Sequence, residues 1–261
     1  MWKNKELQTF YEHQFDFSNQ HKTYYTDWLK AYENAVKKRA VDGCFMCLSS
    51  GYDSGSLATE LTKNDVKFKV YTIYHNENKD VLDARLKAIK DYTVAEMSPE
   101  LWKQYYDFLK GKINDVALAD HASMGVALSF DTAKKEGKTV FLSGQGGDEI
   151  ISDYALYPAQ STFKGVWPEN LYEWNNFREG KNREYLNEIE EIADIYGIEV
   201  RYPYLDVDLV QEYLWLSADL KNKNYKAPLF EYLTLNNVPF EKNVKRGFNP
   251  INKETARQLA D

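Results

Sequence analysis

Cysteine, positive charge and long apolar runs are all scarce in this sequence, and each shortage closes off a class of protein. The two cysteines, Cys44 and Cys47, form one CxxC. No second CxxC or histidine pair accompanies it to complete a zinc site. On a single strand the two side chains would point to opposite faces of the sheet, so both read as core residues, not a redox pair. Lys and Arg total 33 against 40 Asp and Glu, a net charge of −7, which excludes wholesale nucleic-acid binding by phosphate neutralisation. No apolar run approaches the length of a membrane span, and Met1-Trp2-Lys3-Asn4 does not open a signal peptide. A soluble, cytoplasmic protein with no membrane partner is expected. Internal repeats, low-complexity tracts and linkers are missing as well, and so is the GxxxxGK(S/T) phosphate loop.

What is present is ample material for a core. The 261 residues are 43% apolar and 15% aromatic, the composition of a folded globule. After an irregular lead-in over 1–22, Trp28, Leu29, Tyr32, Ala35 and Val36 recur at helical spacing within 24–39. A strand is predicted over 44–48, then a helix over 54–63 with Ser54 as its cap. Strands follow at 69–74, 92–95 and 139–142. Helices are predicted over 80–90, from Pro99, over 116–135 with Gly137 as the stop, and over 184–196. This alternation predicts an α/β fold, a parallel sheet covered by helices on both faces, with a mostly helical C-terminal part. One domain over 1–261 is expected, with residues 23–150 as the core and 151–261 completing the site.

Two loops carry the chemistry. The run Cys44-Phe45-Met46-Cys47-Leu48 stops at Ser49-Ser50-Gly51-Tyr52-Asp53-Ser54 before a helix. A strand, a small-residue loop and a helix N-terminus hold phosphate well, because backbone N–H groups point outward and the helix dipole favours an anion. After the strand at 139–142 comes Ser143-Gly144-Gln145-Gly146-Gly147-Asp148-Glu149, whose glycines let backbone approach a ligand closely. Loops at the C-terminal ends of parallel strands share one edge, so both should face one crevice. Each brings an aspartate, Asp53 and Asp148. Alone, either is an ordinary turn or cap residue; together they fit a Mg²⁺-polyphosphate, which needs a few hard oxygen ligands.

The first loop is similar to the SGGxDS loop of the N-type ATP pyrophosphatases, the PP-loop of the adenine nucleotide α-hydrolase-like fold. The second, LSGQGGDEI, resembles the LSGxGxDE segment of asparagine synthetases and their relatives, the β-lactam synthetases and lasso-peptide cyclases. Glu199-Val200-Arg201-Tyr202-Pro203-Tyr204-Leu205-Asp206 resembles that family's ExRxPFLD segment, and Lys245-Arg246-Gly247-Phe248-Asn249-Pro250 its KxGFxxP segment. The resemblance covers the synthetase domain only.

That resemblance implies ATP and Mg²⁺ as cofactors and an AMP-forming amide ligase as the activity. It assigns Ser49, Ser50, Gly51, Asp53 and Ser54 to the pyrophosphate and metal, with Asp148 as the second metal contact and Ser143 among the nucleotide-binding residues. Leu48, Ile73 and Gly144 would lie near the adenosine, and Lys245 would contact phosphate and stabilise charge at the α-phosphorus. Glu199 and Arg201 would form an ion pair in the wall of the site, Asp206 would cap the next helix, and Glu190 and Glu191 would lie on a solvated helix face. Departures are also visible. Trp2 stands where glutamine-dependent asparagine synthetases carry a catalytic cysteine, so a glutaminase half is expected to be missing and ammonia, another amine or a separate glutaminase subunit to serve. Gln145 replaces the glutamate or tyrosine linked to the incoming amine, and a neutral amide is no general base. Ser50 replaces a loop glycine, either adding a phosphate-binding hydroxyl or altering the backbone, and His121 belongs to the region that would border the acceptor pocket, where a lone histidine is as readily structural as functional. The reading is asparagine synthesis from L-aspartate. The alternatives are a related ligase with another carboxylate and amine, and a non-catalytic nucleotide-binding subunit; a homo-oligomer is left open.

Overall fold

The computed structural model describes residues 13–260, together with the backbone of a short antiparallel pair, Trp2–Lys3 with Glu6–Leu7. Five parallel strands, β1 (Phe45–Cys47), β2 (Lys69–Ile73), β3 (Tyr92–Ala95), β4 (Val140–Leu142) and β5 (Glu199–Arg201), form a sheet in the order β3-β2-β1-β4-β5. Register is set by Met46 opposite Val70, Val70 opposite Tyr92, Phe45 opposite Phe141, and Phe141 opposite Val200. In β2 the consecutive residues Val70, Tyr71, Thr72 and Ile73 are all buried, as required when helices cover both faces of a parallel sheet.

The helices are α1 (Thr26–Arg39), α2 (Tyr52–Lys63), α3 (Lys79–Leu86), α4 (Pro99–Leu109), α5 (Asp115–Ala119), α6 (Ser123–Lys135), α7 (Gly147–Ile151), α8 (Asn175–Arg178), α9 (Gly180–Tyr196), α10 (Val207–Trp215), α11 (Ala218–Asn222), α12 (Ala227–Leu235) and α13 (Lys253–Ala260). The apolar stripe of α1 is buried as its spacing predicts, with Trp28, Tyr32, Ala35 and Val36 in the core. Beyond α7 the regular structure is helical apart from the edge strand β5, which was not predicted, while 152–174 and 236–252 form neither helix nor strand.

Several elements differ from their sequence expectations for local reasons. The long helix predicted over 116–135 is two, because Asp120 takes an extended conformation and its Oδ1 accepts the Ala122 N–H at 2.9 Å, a local turn that competes with the helix. Helix α2 begins at Tyr52, not Ser54. Its N-cap is Gly51 without a side-chain cap, and Ser54 Oγ instead accepts the Ser49 N–H at 3.0 Å. Helix α3 starts at Lys79, capped by Asn78 accepting from Val81 N at 3.2 Å, and stops at Leu86 instead of Lys90. Helix α9 extends back to Gly180. Residues 13–21 form no strand or helix, whereas the pair at 2–3 and 6–7 was not expected; residues 1, 4–5, 8–12 and 261 lie outside the description.

Asp206 does cap α10, accepting from Asp208 N at 3.1 Å, and its Oδ2 also accepts from Arg39 at 2.6 Å and Lys38 at 3.0 Å. Burial pushes this carboxyl up, but the Arg39 and Lys38 hydrogen bonds outweigh it and hold the group below its ordinary value. The depressed value means the contribution is complete above the unfolded carboxylate pKa and is lost as pH falls through the folded one. Asp206→Ala is therefore expected to destabilise the protein by about 1–3 kcal/mol at pH 7, the sum of a lost cap and a broken partly buried ion pair. In urea melts the difference from the parent protein should shrink below about pH 4.

Candidate functional site

Because β1 and β4 are parallel neighbours, the loops that leave them emerge on the same edge. The β1–α2 loop runs over 48–51 and the β4–α7 loop over 143–146. Between them lies a cavity of about 450 Å³, lined by Leu48, Ser49, Gly51, Asp53, Ser54, Ile73, Ser143, Gly144, Gln145, Asp148 and Lys245 among others. That volume falls in the range of small-molecule sites, roughly 300–1,000 Å³.

The two loops approach within atomic contact. A Cβ at Gly147 would collide with the Asp53 carboxylate, so the absence of a side chain there allows α7 to start against Asp53. Gly146, at φ +94°, supplies the left-handed turn that aims α7 inward. The ExRxPFLD-like segment supports the other side. Tyr204 is fully buried, and its hydroxyl donates to Asp53 O at 2.9 Å while sharing a 2.7 Å hydrogen bond with Ser56 Oγ. Glu199 and Arg201 form the expected ion pair at 2.7 Å, and Arg201 also donates to Arg39 O at 2.8 Å.

A lysine that the sequence reading did not single out occupies the centre. Lys226 is 3% exposed, and its Nζ donates to Asp53 Oδ1 at 2.7 Å and Oδ2 at 2.5 Å and lies 2.9 Å from Asp148 Oδ1. Lys245 Nζ lies 2.5 Å from Asp148 Oδ2 and 4.4 Å from the Tyr154 ring centroid, and Tyr225 OH donates to Asp148 Oδ1 at 2.7 Å. Burial opposes the Asp148 charge, but Lys226 and Lys245 outweigh it and hold this carboxyl well below the usual range. For Asp53, burial pushes the pKa up; Lys226 opposes the rise and the neighbouring Asp148 charge adds to it. Burial works against the Lys226 ammonium, yet the charges of Asp148 and Asp53 push it up to about 12. The signal in the sequence was a lysine immediately after a tyrosine and before Ala-Pro at a helix start, which carries no pattern of its own.

The carboxylates' shared grip on one ammonium is the test of whether a divalent cation suits the site. Two hard-oxygen side chains already converge on a single positive charge, and the donor chemistry fits Mg²⁺. Among the described residues no cluster of three or more His, Cys, Asp or Glu forms a closed metal cage, so remaining ligands would have to come from substrate and water.

Other expected residues divide. Lys245 reaches the cavity because Phe248, two residues beyond Arg246, seats on Gly125 of α6, where any Cβ would meet the ring. Ser50 does not line the cavity: it is buried, and its N–H and hydroxyl both donate to the Glu77 carboxylate behind the loop. Its hydroxyl is therefore directed away from any ligand at the front. Cys44 is fully buried as expected, but Cys47 is only half-buried and lines the cavity, and both thiols are free. Among the acidic residues of α9, Glu190 accepts from Tyr202 OH and Glu191 from Asn114, both at the surface. Glu188, on the inner face, had not been singled out. It is 5% exposed, lines the cavity and accepts from Ser123 Oγ at 2.8 Å. Burial first, then the Asp120 charge, pushes its carboxyl up to about 8. Position alone distinguishes it from its neighbours, one helical turn before the buried Ile192. His121 is structural: its carbonyl accepts from Trp102 Nε1 at 3.2 Å, and its ring packs edge-on at 5.7 Å.

A parallel sheet with a ligand-sized cavity at its C-terminal edge, bounded by a strand–loop–helix corner and converging carboxylates, is the arrangement in which open α/β folds bind small-molecule ligands. Residues 28–193, more than half of the chain, match the model of the asparagine synthase family, and the chain belongs to that family of ATP-dependent amide ligases. Over 242 residues it is 25% identical to a protein of Methanocaldococcus jannaschii whose name is "Putative asparagine synthetase (glutamine-hydrolyzing) 1". The match covers 85% of this chain but 40% of that relative's length. No helix among the described residues is long and apolar enough to cross a membrane.

Lys226→Met removes the buried partner of two carboxylates, each about a fifth exposed, and leaves them facing each other. We expect a loss of about 3–5 kcal/mol at pH 7, the usual consequence of removing one partner of a buried ion pair. Chemical melts should show part of that loss recovered near pH 4–5, where one carboxylate can take up a proton and relieve the repulsion.

Proposed function

We propose that this protein joins a carboxylic acid to an amine by adenylation, most simply making asparagine from L-aspartate and ammonia with release of AMP and pyrophosphate. The observation that carries this reading is the convergence of Asp53, Asp148, Lys226 and Lys245 beside the Ser49–Ser54 loop, at one end of a single cavity. Residues 23–150 supply most of the nucleotide side and 151–261 bring the two lysines.

A carboxylate does not react usefully with an amine until its oxygen becomes a leaving group. Attack of the substrate carboxylate on the α-phosphorus of ATP forms a mixed anhydride, an acyl-adenylate, and expels pyrophosphate. The amine then adds to the acyl carbon and AMP departs. The protein's work is positioning and charge neutralisation. Tyr52, Asp53 and Ser54 are the first residues of α2, so their amides have no intrahelical acceptor and are free for phosphate oxygens. The Ser49 and Ser54 hydroxyls, paired at 2.8 Å, lie beside them. Asp53 and Asp148 would hold Mg²⁺, which when bound neutralises polyphosphate charge. Lys245, fixed by Asp148 and the Tyr154 ring, would face the phosphates.

The part of the same cavity lined by Glu188, Asp120, Tyr185 and Phe248 would receive the acceptor half. With its carboxyl pushed up to about 8, Glu188 is matched to taking a proton from an amine near neutral pH. Gln145 supplies hydrogen bonds but no base. The aromatic wall favours a second reading, a ligase whose carboxylate or amine is larger than aspartate or ammonia.

Incubation of the enzyme with ATP, Mg²⁺, aspartate and ammonium should yield asparagine, AMP and pyrophosphate in equal amounts. ADP and phosphate as products would rule out adenylation, whereas ATP–pyrophosphate exchange with other carboxylates and none with aspartate would select the second reading. Glu188→Gln should lower kcat by about 10²–10⁴-fold. It should also abolish the rise in activity that the parent enzyme shows as pH increases through about 8.

A further inference from the structure

Arg85 is a buried cation that the reaction described above does not use. It lies in the last turn of α3 and is 5% exposed. Its Nη1 donates to Ser49 O and to Gly51 O, both at 2.7 Å, and its Nε donates to Pro239 O at 3.0 Å. Nη2 is buried with no hydrogen-bond partner. Among the described residues no carboxylate forms an ion pair with it; Glu77, the acidic group whose field reaches it, is itself held by Ser50. Burial pushes the guanidinium down to about 10, so it keeps its charge at neutral pH.

The guanidinium lies directly behind the β1–α2 loop, and the chain makes room for it. A Cβ at Gly55 would collide with the guanidinium carbon. Gly55 is therefore a space for Arg85 inside α2, not a flexible loop residue. The consequence for the loop follows from peptide geometry. Within one trans peptide plane the C=O and N–H point in opposite directions. Drawing Gly51 O towards Arg85 turns the Tyr52 N–H away from it, to the open end of α2. Drawing Ser49 O the same way keeps a carbonyl, which would repel phosphate, off the cavity wall. An arginine suits this task because one nitrogen of its planar fork can serve two carbonyls at once, while a lysine ammonium has no such rigid geometry. A buried charge without a carboxylate partner costs several kcal/mol, and an anion arriving on the far side of the loop offsets that cost.

We propose that Arg85 is a positioning residue for the pyrophosphate end of the site: from behind the loop it fixes the Ser49 and Gly51 carbonyls, and thereby orients the donors that receive the β- and γ-phosphates. The inference rests on the adenylation reading. It assigns Arg85 to the phosphate end alone, and leaves the part of the cavity near Leu48 and Ile73 unaffected.

The test compares the full chain with Arg85→Lys and Gly55→Ala; the second variant displaces the guanidinium without deleting it. Affinities for ATP, inorganic pyrophosphate and AMP are measured by calorimetric titration with Mg²⁺, alongside the thermal midpoint of each free protein. Both variants should weaken ATP and pyrophosphate together by about tenfold or more, a change of about 1.4 kcal/mol, and leave AMP within about twofold. Equal losses for AMP and pyrophosphate, or parental affinity for all three in a folded variant, overturn the inference while leaving the ligase reading intact. Unfolding of both variants also overturns it, by making Arg85 a support of the fold. A parent protein that binds neither ATP nor pyrophosphate sinks the ligase reading itself.

Discussion

A single ammonium group, Lys226 Nζ, holds together the two halves of the site. Asp53 comes from the β1–α2 corner and Asp148 from the start of α7. Held at close quarters and only partly open to water, two carboxylates repel each other. Lys226 removes that conflict by contacting both, at 2.5 and 2.9 Å. It does so from a backbone conformation with φ +48°, uncommon for a residue with a side chain. The surrounding structure fixes it there: Tyr225 is bonded to Asp148, and Ala227 opens α12. The same contact ties the helical C-terminal part to the edge of the sheet.

Around this point one cavity brings two sets of groups together. The Ser49 and Ser54 hydroxyls, the first amides of α2, Lys226 and Lys245 suit negative charge, and Glu188 with Asp120, Tyr185 and Phe248 would suit an amine and the body of an organic acid. On the adenylation proposal the first set would meet the departing pyrophosphate and the second the incoming amine.

Much of this was legible in the residues. Short apolar runs and helical spacing located four of the five sheet strands and the longer helices, because both report local burial, but missed β5 and the short helices α7, α8 and α11 to α13. The glycine- and serine-rich loops announced themselves, since close backbone approach restricts side-chain size wherever it occurs. Errors fell where a local polar contact overrode periodicity. Asp120 broke a helix by bonding its own backbone, and Ser54 bonded Ser49 rather than capping α2. Ser50 showed a hydroxyl in the sequence but not which way it would face; Glu77, from another strand's loop, drew it behind the site.

The sequence by itself determined the fold class, the two loops and the aspartates they carry, because these depend on neighbours in the chain, and family resemblance added Lys245 as a candidate beside them. Tertiary structure alone decided that Lys226 bridges the carboxylates, that Glu188 and not Glu190 or Glu191 faces inward, and that Gly55 makes room for Arg85. Each of these pairs residues distant in sequence, and burial changes what an ionisable group does. Charge strength and protonation are set by the dielectric and the partners that folding supplies, and no local pattern encodes them.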